Sequence, residues 1–188
     1  MRKYSFIFVF FFTIAGQIFS QNTVSKTACD VSFGLNIPVA EELFRDKYSP
    51  GYNVFFDVLF ELDDEWGLRP GIKFDYFQRK STPGITDAYF ASFELKLDAV
   101  YSDYKSKKDF MPYGFGGAGI GKLKWAETVN SIRNDNVKTN FILNGGLGLK
   151  YRLSGGFSLM GEMGFNYNAI DITEKTFLNI NIGLQIKL

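Results

Sequence analysis

The residues that most invite chemistry form a glycine-rich run, Gly114-Phe115-Gly116-Gly117-Ala118-Gly119-Ile120-Gly121-Lys122. Gly114, Gly116 and Gly119 match the spacing of a dinucleotide fingerprint, and Gly116, Gly121 and Lys122 match most of a phosphate-binding loop. Both motifs work only where a strand gives way to a helix, because the backbone amides and dipole of the helix N-terminus hold the phosphate. Here Leu123 stands where a magnesium-binding Ser or Thr is needed, and Trp125 and an Asn-containing polar stretch follow without helical periodicity. The expected reading is a strand whose glycines make room for side chains opposite or let the sheet bend. Gly145, Gly146 and Gly148 read the same way.

The chain has no histidine and one cysteine, Cys29. Ser-His and Asp-His pairs and the commonest metal ligand are therefore absent, and an intramolecular disulfide is impossible. Carboxylates remain as candidate acids or bases, but each has basic residues nearby in the pattern, so ion pairs are expected rather than catalysis. Glu41, Glu42, Asp63, Asp64 and Glu65 read as solvated loop or turn charges, and none builds a calcium loop. The residue types predict no enzyme, no cofactor and no metal.

The elements that would position these residues are strands. From Leu178 to Leu188 the chain alternates almost without exception: Leu178, Ile180, Ile182, Leu184, Ile186 and Leu188 share one face, and Asn179, Asn181, Gly183, Gln185 and Lys187 the other. Period two over about eleven residues describes a strand with an apolar and a polar face, long enough to cross a bilayer at a tilt. Similar segments recur near Cys29 to Ile37, Tyr52 to Leu62, Leu68 to Gln78, Tyr89 to Tyr101, Met111 to about Trp125, Thr139 to Arg152 and Phe157 to Tyr167. The fold class is thus all-β, an eight-stranded antiparallel up-and-down transmembrane β-barrel. Three links are expected to be tight, at Asp63 to Gly67, Ser102 to Phe110 and Ser154 to Gly156. Four are expected to be longer, at Pro38 to Gly51, Arg79 to Ala88, Leu123 to Lys138 and Asn168 to Thr176. Short turns at one rim and long loops at the other are the outer-membrane arrangement.

Residues 1–20 read as a signal peptide. Arg2 and Lys3 precede the apolar stretch Phe6 to Ile14, which is too short to span as a helix, and Ser20 precedes Gln21 at a plausible cleavage site. Residues 21–188 then form one barrel domain in the cell outer membrane. Removing Arg2 and Lys3 leaves 19 bases against 20 acids, so nothing favours nucleic acid as a partner. The expected partners are outer-membrane lipid and proteins met through the extracellular loops, and the barrel is expected to be monomeric.

Parity also assigns a lumen. Asp57, Glu61, Asp75, Glu94, Asp98 and Glu162 would face inward with Arg69, Lys73, Lys96, Lys150, Arg152 and Lys187. Six acids and six bases in a narrow interior would pair into a structural ion-pair network, since unpaired buried ions cost several kcal/mol each. Aromatic belts are expected at both lipid boundaries. Tyr52, Tyr76, Tyr89, Trp125, Phe141, Tyr167 and Phe177 would mark the long-loop side, and Trp66, Tyr101, Tyr113, Tyr151 and Phe157 the short-turn side.

The run Pro112-Tyr113-Gly114-Phe115-Gly116-Gly117, the segment Asn144-Gly145-Gly146-Leu147-Gly148-Leu149-Lys150-Tyr151-Arg152-Leu153 and the closing strand resemble small outer-membrane barrel domains of the OmpA/OmpX and PorT-like type. The chain departs from that pattern in ending on Ile186-Lys187-Leu188 rather than on an aromatic residue. The resemblance implies a structural or interaction role, with long loops contacting partners outside the cell and a PorT-like secretion accessory as a narrower variant. Two alternatives stay open: a narrow pore, and a soluble lipocalin-like ligand carrier with its faces inverted.

Overall fold

The computed structural model describes residues 27–39, 42–154, 156–170 and 173–188. The expected leader, 1–20, lies outside them. Eight strands follow in order: β1 (Thr27–Pro38), β2 (Gly51–Glu61), β3 (Trp66–Gln78), β4 (Ile85–Ser102), β5 (Phe110–Val129), β6 (Ile132–Arg152), β7 (Phe157–Ile170) and β8 (Thr173–Lys187). A short helix, α1 (Glu42–Lys47), interrupts the β1–β2 connection. Each strand pairs antiparallel with its neighbours, and β8 closes on β1.

The registers fix the geometry of closure. One circuit of cross-strand partners runs from Thr27 through Phe60, Leu68, Ala99, Gly116, Gly145, Phe165 and Leu178, and returns to β1 at Ile37. It therefore comes back ten residues further on. In an eight-stranded barrel that stagger corresponds to strands tilted by roughly 40°. The hydrogen-bonded rows climb the wall by just over one residue per strand.

Alternation decides which side chains meet lipid. Val31, Phe33, Leu35, Tyr52, Val54, Phe56, Ile72, Phe74, Phe93, Leu95, Ile180, Ile182 and Leu184 project outward and are exposed. The polar residues between them are buried inside. A soluble barrel would bury the apolar set; this one displays it around its whole girth, as a bilayer requires. Tyr52 and Tyr76 stack at 5.2 Å, and Tyr76 and Tyr89 at 5.8 Å, on the outer wall toward the α1 end. At the opposite rim Trp66 meets Tyr101 at 5.1 Å and Phe110 meets Tyr151 at 4.7 Å.

Three aromatics expected in these belts point the other way. Phe177 and Tyr113 are buried in the lumen, and Trp125 packs against an inner cluster. Phe177 follows from parity, because the even residues of β8 face outward. Tyr113 and Trp125 lie on the glycine-rich β5, where too few apolar residues alternate to show which face is which.

Three of the expected loops are instead largely paired backbone, and one of them, Asn168 to Thr176, is a continuation of β7 and β8 paired as far as Ile170 with Thr173. The segment from Leu123 to Lys138 continues as strand to Val129, turns through Asn130 and Ser131 alone, and returns from Ile132. Both turn residues have positive φ, 50° and 66°, the signature of a two-residue hairpin turn whose twist suits the flanking strands. Similarly, β4 begins at Ile85, with a register shift between Thr86 and Tyr89 where Asp87 takes φ 51°. Sequence patterning missed these extensions because no regular apolar alternation marks them.

Candidate functional site

The lumen is layered. At the α1 end Phe44, Phe77, Phe90, Leu123 and Phe177 form an apolar plug, with Tyr48 and Trp125 against it. Phe44 comes from α1 and meets both Phe77 and Phe90 edge-on at 5.3 Å, so the β1–β2 connection folds over the mouth. At the other end Ala28, Leu59, Val100 and Tyr113 close the barrel, with Tyr104 and Phe115 beside them.

Between the two plugs lie most of the charges assigned inward by parity. Arg69 on β3 is the hub of one cluster. Its guanidinium is 3.5 Å from Asp57 and 3.2 Å from Asp98, and it also binds Glu162. Asp98 accepts further from Lys96 and Asn144, each at 2.8 Å, and Glu162 accepts from the Tyr113 hydroxyl at 2.8 Å. Phe55 and Phe115 lie against the Arg69 guanidinium, with ring centres at 5.5 and 4.7 Å. The Lys96 ammonium stands 3.6 Å from the centre of the Phe55 ring. Such a guanidinium, hydrogen-bonded to Asp98 and Glu162, ion-paired with Asp57 and packed on rings, is a favourable way to hold a buried cation.

A second cluster lies nearer the mouth. Lys73 is 2.8 Å from Asp75 and donates to Asn179 at 3.2 Å. Asn36 donates to Asp75 at 2.7 Å and accepts from Asn53 at 2.6 Å. The Ser92 hydroxyl lies between Asp75 and Glu94, at 2.8 and 3.0 Å, and Asn166 donates to Glu94 at 3.0 Å. At the opposite end, Lys150 faces the Tyr113 ring at 5.0 Å.

Glu61, Arg152 and Lys187 do not join these clusters. Lys187 is 3.7 Å from Glu61 at the termini-bearing rim, and Arg152 donates to the Ser106 carbonyl at 3.1 Å. These three occupy the last rungs of their strands, where inward parity no longer means an enclosed environment. The sequence count also omitted Asp30, which is buried on the polar parity of β1 and paired across the strands with Asp57. Asn36, Asn53, Asn144, Asn166 and Asn179 belong to the same interior and were missed because only charged residues were counted. Among the described residues, six buried carboxyls (Asp30, Asp57, Asp75, Glu94, Asp98, Glu162) thus share the lumen with four cations (Arg69, Lys73, Lys96, Lys150) rather than six.

The glycine-rich run lies in the middle of β5, with its amides in the sheet and no helix after it, which is the wrong setting for nucleotide. Its glycines give up space instead. A Cβ at Gly117 would collide with the Leu97 carbonyl and Asp98, and one at Gly119 with the Leu95 carbonyl and Lys96. A cavity of about 20 Å³ remains among Phe55, Lys73, Lys96, Asn144, Asn166 and Asn181, about room for one water molecule.

Outside the belt, β5 and β6 continue as a projecting hairpin. Among the described residues the highest pairing of β6 with β7 is Phe141 with Ala169, and Ile132 to Asn140 pair with β5. Arg133 is 2.9 Å from Asp135, which lies 3.9 Å from Lys124. Ile132 and Val137 are exposed.

The model of the outer membrane protein beta-barrel domain family matches residues 6–187. Among solved structures, the fold is similar to Neisserial surface protein A, at 15% identity and TM-score 0.58, covering 87% of this chain and 96% of that one. It is also similar to Ail, the attachment invasion locus protein of Yersinia pestis, at 16% identity and TM-score 0.56, covering 87% and 100%. A major outer membrane protein from Thermus thermophilus gives 13% identity and TM-score 0.64, covering 88% and 100%. No curated protein sequence matches. With its closed eight-stranded wall, apolar outside and polar inside, and a family match over nearly its whole length, the chain belongs to the outer membrane protein beta-barrel domain family and sits in the outer membrane.

Proposed function

We propose that the protein is a monomeric closed barrel that anchors a projecting sheet for contact with protein partners outside the cell, without enzymatic activity. The observation that supports this reading is the β5–β6 hairpin, which carries the exposed segment Ile132 to Val137 beyond the lipid boundary. Exposed strand segments offer backbone and side-chain groups to another chain, and charged residues such as Arg133 and Asp135 limit indiscriminate pairing. In this reading the twelve residues assigned to the lumen from the sequence act structurally, nine in the sealed middle and Glu61, Arg152 and Lys187 at its rim. A role as a PorT-like secretion accessory is the narrower form, supported by the sequence resemblance.

The test is a barrel with a shortened hairpin. Deleting Glu127 and Thr128 together with Arg133 and Asn134 removes two rungs and keeps the turn. The shortened protein should retain heat-modifiable mobility and lose the proteins that copurify with the intact one in mild detergent. Unchanged copurification would refute the role given to the hairpin. The pore alternative is met by planar-bilayer recording, where the two plugs and the ion pairs between them predict no steady porin-like conductance.

A further inference from the structure

The lipid-facing wall carries almost no charge, and the exceptions are gathered in one place. Outward positions of the lipid-crossing parts of β1, β2, β3 and β7 hold no Asp, Glu, Lys or Arg. On β5 the outward series Ile120, Lys122, Lys124 puts two lysines directly above an apolar stretch. Lys122 lies across from Phe93 on β4 and Thr139 on β6, and Lys124 across from Ala91 and Val137.

The stagger of the barrel sets their height. Because each row climbs by just over one residue per strand, Lys122 stands within about one residue of the level of Tyr76 on β3 and of Phe141 on β6. It is therefore in the aromatic belt, and Lys124 is one outward position above it. Lys124 lies 5.9 Å from the centre of the Tyr89 ring and 3.9 Å from Asp135, whose carboxylate is already engaged by Arg133. Lys122 is exposed, and among the described residues it makes no ion pair or hydrogen bond. No outward acid stands at its level: the outward neighbours are Phe93, Ile120, Thr139 and Phe141. A lysine whose stem lies on apolar wall and whose ammonium reaches the boundary needs an anion from the surrounding medium.

We propose that Lys122 and Lys124 form a binding site on the outer wall of β5 for the phosphate of an anionic lipid headgroup in the leaflet at the hairpin end. The lipid chain lies along Ile120, Phe93 and Phe141, and the two ammonium groups bracket the phosphate at the belt. The chemistry is that of juxtamembrane lysines on anionic lipid, here placed on one side of the barrel only. The site ties the base of the projecting hairpin to lipid.

The test uses the mature full-length protein in mild detergent, titrated with phosphatidylglycerol or phosphatidylcholine and read by native mass spectrometry. Phosphatidylglycerol should be retained in preference to phosphatidylcholine. Lys122→Gln should weaken that retention about fivefold, and Lys122→Gln with Lys124→Gln by more than tenfold. Lys105→Gln with Lys107→Gln, at the opposite rim, should leave it unchanged, and Lys122→Arg should preserve it. Equal retention of the two lipids, or equal loss in the opposite-rim variant, would overturn the proposal. Displacement of phosphatidylglycerol by millimolar inorganic phosphate would show a free-anion site and overturn the lipid assignment. Heat-modifiable mobility verifies folding, and should the double variant fail to fold, the single Lys122→Gln titration decides.

Discussion

Strands β5 and β6 pass through two environments without breaking register. Below the belt their outward rungs are apolar, such as Ile120 against Phe141 and Ala118 against Leu143, while inward glycines make way for Asp98 and Lys96. Above it the rungs are Ala126 with Asp135, Glu127 with Asn134 and Thr128 with Arg133, where the β6 residues are exposed and the β5 residues are buried or half-buried. The ladder is the same; what holds it differs. In the lower part lipid forbids unpaired backbone, and buried charge locks the wall from inside. In the upper part the ladder rests on pairing, a two-residue turn and ion pairs at or near the surface, among them Arg79 with Glu127. Identical substitutions should therefore have very different effects in the two parts.

The largest contrast is between two arginines. Arg69→Met leaves Asp57, Asp98 and Glu162 without their shared cation, and breaking a buried network of this kind costs roughly 3–5 kcal/mol. Arg133→Met in the hairpin removes an exposed pair with Asp135 and should cost less than about 1 kcal/mol. Urea unfolding in detergent or vesicles reads both. Equal effects would mean that the lumen is hydrated and the network dispensable. The comparison sharpens if Glu162→Gln and Asp57→Asn are added to Arg69→Met: removing the orphaned charges, while Asp98 keeps Lys96, should recover part of the lost stability.

Next comes the wall itself. Leu95 faces lipid and Lys96 faces the lumen. Leu95→Arg should block insertion or cost roughly 2–4 kcal/mol near mid-membrane, whereas Val137→Arg, outward on the same sheet above the belt, should be nearly neutral. Spin labels at 95 and 137 check the premise: oxygen should broaden the first, and an aqueous relaxation agent the second.

A smaller effect is expected at the hairpin tip. Ser131 holds φ 66°, a conformation that favours glycine. Ser131→Gly completes an Asn-Gly turn and should stabilise the hairpin by about 1 kcal/mol. Slower amide exchange from Lys124 to Lys138 would register it, with exchange below the belt unchanged.

The same division explains what the sequence could reveal. Where one face meets lipid and the other a lumen, every second residue is constrained, and β2, β4 and β8 can be read residue by residue, with Asp57, Glu94 and Lys96 placed by parity alone. On β5 glycine erased the alternation, and the direction of Tyr113 and Trp125 was lost with it. Above the belt few side chains are buried and no regular alternation marks a face, so the pairing of Lys124 with Val137 left no trace in composition. Asp30 was legible and overlooked, since Val31 and Phe33 already fix its parity. The descent of Phe44 into the mouth was not legible, because it depends on a short helix in a connection whose path no periodicity records.

The smallest effect concerns the turn between β2 and β3, which lies outside the membrane at the rim opposite the hairpin. The Asp63 carboxylate accepts from the backbone N–H of Glu65 at 2.8 Å and of Trp66 at 2.7 Å. These two bonds favour the ionised form and hold its pKa below the usual aspartate value. The folded-state value is thus depressed relative to the unfolded chain. The contribution to order in the turn is fully present above the unfolded aspartate pKa and is lost as pH falls through the lower folded value. The group is fully exposed, so the effect should be local and should leave barrel stability unmoved. Amide signals of Glu65 and Trp66 followed from neutral to acid pH should shift together, with a midpoint below that of an ordinary aspartate. In Asp63→Asn the side-chain oxygen still accepts from both amides but no longer titrates, so the turn should persist and the pH dependence should vanish. A midpoint at or above the ordinary aspartate value would mean that these two N–H bonds do not form in the membrane-bound protein, and Trp66 would lose its anchor in the short-turn belt.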